Sequence, residues 1–95
     1  MLELRPSCEN CQRALPPGSS DALICSFECT FCSQCATRLQ GVCPNCGGNL
    51  SARPIRPQSK WAKFPASTEV KHKPVDWAVH AELVARVGAL EPAAR

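Results

Sequence analysis

Cys25-Ser26-Phe27-Glu28-Cys29-Thr30-Phe31-Cys32-Ser33-Gln34-Cys35 is the stretch whose reading decides the fold of this chain. Four cysteines crowd into eleven residues, and no backbone joins all of them to one another comfortably through disulfides. Thiolates two or three residues apart turn readily toward one ion, so a tetrahedral metal is the simpler arrangement. Two more pairs flank the run, Cys8-Glu9-Asn10-Cys11 upstream and Cys43-Pro44-Asn45-Cys46 downstream. The 8 cysteines of the chain therefore form four close pairs, 8/11, 25/29, 32/35 and 43/46, which predicts two four-thiolate zinc sites.

Size points the same way. A chain of 95 residues has room for one small domain and an appendage, and the cysteine-bearing part ends near residue 50. A unit that short buries too little apolar surface to fold unaided, so metals or disulfides must help. Tyrosine is absent and other aromatics are few, which suits a core organised by ions. No apolar run approaches the roughly 20 residues needed to cross a bilayer. The opening Met1-Leu2-Glu3-Leu4-Arg5-Pro6 has no basic region followed by an apolar stretch. The expectation is a cytoplasmic, reducing environment, where metal is favoured over disulfides.

The formal charge of +3 changes meaning once metal is counted. Residues 1–50 carry three basic and four acidic side chains, and residues 51–74 carry six basic and one acidic. Eight thiolates on two divalent ions add a net charge of about −4, which brings the loaded module near −5 beside a linker near +5. A basic isoelectric point is then no argument for nucleic acid.

Four regions follow: a double four-cysteine module over residues 1–52, a basic proline-containing linker over 53–74, an amphipathic helix within 75–90, and a tail over 91–95. Leu2 and Leu4 alternate with charged residues until Pro6 interrupts. Leu15–Asp21 is turn chemistry. Ala22–Cys25 reads equally as a brief strand or an irregular connector. Residues 36–41 read as a short helix closed by Gly41, with Cys32 and Cys35 at its entrance, where the backbone dipole favours thiolate. Residues 53–57 are an extended exit, and residues 58–74 have no helical or strand period. Asp76 is a helix cap and Gly88 a stop, predicting a helix from Asp76 to Val87 with Val79, Leu83, Val87 and Leu90 on one stripe and Val84 beside it.

The ordered spacing of the eight cysteines resembles the RING-type cross-brace finger, a treble-clef type of zinc domain with little regular structure. That resemblance implies one site of Cys8, Cys11, Cys32 and Cys35 and a second of Cys25, Cys29, Cys43 and Cys46, with Cys29 where a histidine is usual. Sequential pairing, 8/11 with 25/29 and 32/35 with 43/46, remains the alternative. The chain also resembles a family of short bacterial proteins classed as a domain of unknown function, through Met-Leu-Glu-Leu-Arg-Pro, Ile-Cys-Ser-Phe-Glu-Cys-Thr-Phe-Cys, Cys-Pro-Asn-Cys-Gly-Gly and Arg-Pro-x-Arg-Pro. This second resemblance covers about residues 1–74 and implies no activity. A ubiquitin-ligase role does not follow from the first. Such fingers carry an apolar residue between the first two ligands and a basic one past the last, where this chain has Glu9-Asn10 and Gly47-Gly48.

A catalytic zinc keeps an open position, and eight cysteines fill two sites, so the expectation is an interaction module and not an enzyme. Two alternatives are a thiol-redox protein using Cys-x-x-Cys pairs and an iron–sulfur protein, the latter prompted by Cys29-x2-Cys32-x2-Cys35. His72 and His80 lie outside the module and read as solvated or packed groups. The linker reads as a solvated tether, as a contact for nucleic acid or an acidic partner through Arg53, Arg56, Lys60 and Lys63 with Trp61 and Phe64 for stacking, or as a segment folded back over the module to shield its sulfurs. The helix reads as docked on its own module or as a homodimer face through Val79, Leu83 and Val87.

Overall fold

The structure, a computed structural model, describes residues 1–95. Three short antiparallel strands form one sheet in the order β2-β1-β3, with β1 at Ala22–Ile24, β2 at Thr30–Cys32 and β3 at Ser51–Ala52. Leu23 faces Phe31 on one side and Ala52 on the other. Every residue of β2 is buried, as its β-branched and aromatic composition suits. Thr30 and Phe31 separate Cys29 from Cys32, so β2 spaces these two sulfur-bearing positions by roughly 10 Å at about 3.3 Å per residue. The core around β2 combines Leu15, Ala22, Phe31 and Leu39 with five of the cysteines.

Helix α1 spans Ser33–Arg38 and starts three residues before the expected Ala36. Cys32 caps it, its sulfur accepting the Cys35 amide at 3.5 Å. The helix ends with the Gly41 amide bonded to the Ala36 carbonyl and the Gln40 amide to the Thr37 carbonyl. Gln40 already has φ +55°, so the left-handed turn begins one residue before the predicted glycine.

Residues 58–74 hold one 3-10 turn and no helix or strand. The turn lies at Gln58–Lys60, and beyond it the Ser67 and Lys73 amides are bonded to carbonyls of the module. Arg53 is buried, and its guanidinium donates to the carbonyls of Arg5, Leu15 and Pro16. Arg56 donates to the carbonyls of Leu2, Phe64 and Pro65, and the Trp61 indole donates to the Arg56 carbonyl. The Ser67 amide reaches the Leu4 carbonyl. These arginines engage backbone oxygens and not the cysteine sulfurs, because a guanidinium fork matches several carbonyls at once.

Helix α2 spans Trp77–Val87, with Asp76 capping the amides of Ala78 and Val79. Its docked face is set by Trp77 and His80. Arg38 lies 3.8 Å from the Trp77 ring, and His80 is buried with Nε2 3.0 Å from the Val42 carbonyl. The expected apolar stripe is therefore rotated. Val79 is 60% exposed and Leu90 45% exposed, whereas Leu83 and Val87 are half-buried. No helix is long and apolar enough to cross a membrane.

Candidate metal centres

Two hairpin knuckles built to one pattern carry half of the sulfurs. In the first, the Cys8 amide donates to the Arg13 carbonyl and the Gln12 amide returns to the Cys8 carbonyl. In the second, the Cys43 amide donates to the Gly48 carbonyl and the Gly47 amide returns to the Cys43 carbonyl. Each knuckle is flanked by an isolated antiparallel bridge at matching positions, Ser7 with Ala14 and Val42 with Asn49. The residue after the second cysteine is left-handed in both, Gln12 at φ +63° and Gly47 at φ +76°. This turn aims both sulfurs of a pair at one point. Gly47 meets the requirement without steric cost, and Gln12 accepts strain to do so.

The opposing sulfurs come from β2, α1 and the loop before them. The Sγ atoms of Cys8, Cys11, Cys32 and Cys35 all lie within 4.8 Å of one another, with Cys11 and Cys32 at 3.7 Å. Those of Cys25, Cys43 and Cys46 form a second group within the same limit. The sulfurs thus group 8/11 with 32/35, and 25 with 43/46. Cys29 lies outside the second group as defined by that distance. It remains adjacent to it in the chain fold, because the Cys29 carbonyl accepts the Cys25 amide at 3.2 Å. Glu28, at φ +67°, turns the chain between Cys25 and Cys29.

Donors surround these sulfurs. The Phe27 amide points at Cys25 Sγ at 3.3 Å and the Gly48 amide at Cys46 Sγ at 3.4 Å. Asn10 Nδ2 lies 3.3 Å from Cys35 Sγ. Asn10 and Asn45 occupy the same position in their knuckles, but Asn10 reaches a sulfur of the opposing pair, Cys35, whereas Asn45 reaches Glu9. Burial pushes the Cys35 thiol up to about 12 and also raises Cys32, Cys43 and Cys29. Cys11 differs: burial acts upward on it too, but bonds from the Arg13 backbone and the neighbouring thiols outweigh it, and its pKa is lowered. Such clustered sulfurs resist ionising together unless a cation joins them, and a coordinating thiol is deprotonated outright.

Glu9 ties the two knuckles together. It is buried, accepts from the Thr30 amide at 3.1 Å and from Arg5 at 3.4 Å, and receives Asn45 Nδ2 on its other oxygen at 3.4 Å. Glu9, Asn10 and Asn45 were not singled out from the sequence as site residues. The repeated Cys-x-Asn-Cys was the available signal for the two asparagines, whereas nothing local marks Glu9. His72 and His80 contact backbone carbonyls, not sulfurs.

Residues 1–56 match the family described as "Protein of unknown function (DUF1272)". The chain belongs to that family. The match takes in all eight cysteines and both knuckles and stops before α2. An uncharacterized protein of Rhizobium meliloti (strain 1021) is 63% identical over 75 residues, covering 78% of this chain and 89% of the relative. No solved structure matches the chain.

Proposed function

We propose that this protein is a zinc-organised interaction module of the RING-like, treble-clef type, with two closed four-cysteine sites. The observation that carries the reading is the convergence of the Cys8, Cys11, Cys32 and Cys35 sulfurs within 4.8 Å of one another. The second ion would be held by Cys25, Cys43 and Cys46, with Cys29, whose carbonyl accepts the Cys25 amide, completing the set. Zinc suits these sites because it takes four thiolates tetrahedrally with no redox demand, and paired knuckles supply them. With every position filled by sulfur, the ion's contribution is structural: it fastens the knuckles to β2 and α1.

The role of the folded surface is to bind a protein. Arg53 and Arg56 spend their guanidinium groups on carbonyls, which leaves Lys60 and Lys63 as the linker cations of this set available to a phosphate backbone. Phe27, at the tip of the Cys25–Cys29 loop, is 72% exposed, and Ile55 is also exposed, which suits an apolar protein contact better. Reduced thiols on zinc fit a cytoplasmic setting.

The test is elemental analysis and native mass spectrometry of gently purified protein, with two zinc ions per chain expected. A compact, ordered chain without bound metal would overturn the reading, and a brown protein containing iron would replace zinc by a cluster. Capture of partners from the source cell, with and without nuclease, separates protein from nucleic acid.

A further inference from the structure

The dipeptide between the first two cysteines holds the C-terminal arm. Asn10 Oδ1 accepts the Val75 amide at 3.0 Å while its Nδ2 donates to Cys35 Sγ at 3.3 Å. The Asn10 carbonyl lies 3.2 Å from His72 Nε2, and the Glu9 carbonyl accepts the Lys73 amide at 2.9 Å. Two consecutive residues of one knuckle thus grip three positions of the segment that leads into α2. The orientation of the Asn10 amide is determined on both sides: the Val75 amide can only donate, and a metal-bound thiolate can only accept.

We propose that residues 72–87 form a latch that site 1 closes: an ion on Cys8, Cys11, Cys32 and Cys35 fixes Asn10, and Asn10 fixes the arm. The ion joins the Cys8–Cys11 turn to Cys35, so Asn10 can face Cys35 and Val75 together only while the two pairs converge. Losing the ion frees the turn and weakens the grip at His72, Lys73 and Val75 at once. The arm then lifts from Arg38 and Val42, uncovering Trp77, His80 and Leu83. Coupling of this kind is reciprocal, so anything that loosens the arm lowers metal affinity at site 1 by the same factor. The proposal rests on the reading that these four sulfurs hold a metal.

Full-length zinc-loaded protein tests it by chelator competition and limited trypsin cleavage at the Lys71–His72 and Arg86–Val87 bonds. Removing the ions is expected to accelerate both cleavages. Asn10→Ala is expected to weaken one of the two metal steps by about 10- to 100-fold, the range for a lost outer-shell partner, and to open the arm with zinc present. Val75→Pro deletes the amide that Asn10 accepts while leaving every knuckle residue in place, and it is expected to weaken the same step by about fivefold or more. Unchanged cleavage on metal removal overturns the latch and leaves the zinc sites standing, as does a Val75→Pro protein with both metal steps unmoved. Protein that never held metal overturns both.

Discussion

The Arg53 guanidinium donates to the Leu15 carbonyl at 3.1 Å, joining positions 38 residues apart. The same group also reaches Arg5 and Pro16, so one buried side chain fastens the N-terminal segment, the loop after the first knuckle and the exit from β3. Burial lowers its pKa, although an arginine stays charged at any ordinary pH.

Arg53→Ala leaves buried carbonyls without that donor and is expected to destabilise the zinc-loaded protein by about 1–3 kcal/mol. Arg53→Lys restores charge but not the fork, so it recovers only part of the loss. Urea midpoints in excess zinc check this, with an unchanged slope expected because the folded core is retained. A wild-type midpoint for Arg53→Ala would show that the three carbonyls find other donors.

Cysteine replacements should not be equivalent. Cys32 is fully buried and caps α1, whereas Cys46 is exposed. Serine is itself a good helix cap, so Cys32→Ser preserves the cap and removes only the sulfur that the proposed site would use. It is expected to lose one zinc together with dispersed amide signals across β2 and α1, while Cys46→Ser loses zinc affinity and retains most of that dispersion. Zinc stoichiometry and amide spectra of the two variants decide the matter.

What the sequence made legible was the chemistry of short spacings. Cys8/Cys11 and Cys43/Cys46 announced their turns, and Asp76 with Gly88 bounded α2, because caps and knuckles are local devices. Arg53 and Glu9 were opaque: each acts on backbone groups far away, and an arginine among prolines reads as surface charge. Val79 misled because α2 docks through an aromatic and a buried histidine, Trp77 and His80, which a stripe of aliphatic residues does not register. Cys29 is intermediate, placed in the second set by resemblance and lying just outside the group that Cys25, Cys43 and Cys46 form.

Acid should strip the metal. In the metal-free chain the Cys35 thiol keeps its proton until about 12, so zinc must displace it at neutral pH. Because binding releases protons, apparent affinity falls as pH falls, and from about pH 6 to about pH 8 it rises by about tenfold per unit for each proton released. A metal-free fold lacks that rise between about pH 6 and about pH 8 and shows the opposite sign only above about pH 9. A thiol raised from 9.0 to about 12 stabilises the folded form below about 9 and loses that contribution as pH rises toward 12. Chelator competition across pH, with proton release followed in weak buffer, separates the two.

Helix α2 gives the last prediction, because its two apolar faces make different demands. Trp77 packs on the module beneath Arg38, whereas Val79 faces outward. Trp77→Ala is expected to cost about 1–2 kcal/mol, from half-buried ring area and the lost cation–π contact. Val79→Ala should stay within about 0.5 kcal/mol of wild type. Pairing of two copies through Val79, Leu83 and Val87 would draw on Leu83 and Val87, which are already half-buried, so sedimentation is expected to find a monomer with the arm docked. If Trp77→Ala instead brings on concentration-dependent association, the covered face of α2 is the one that seeks a second copy. Dimerisation of the wild type that Val79→Ala abolishes would mean that the outward stripe binds, and the docked arrangement would then be the resting half of a larger assembly.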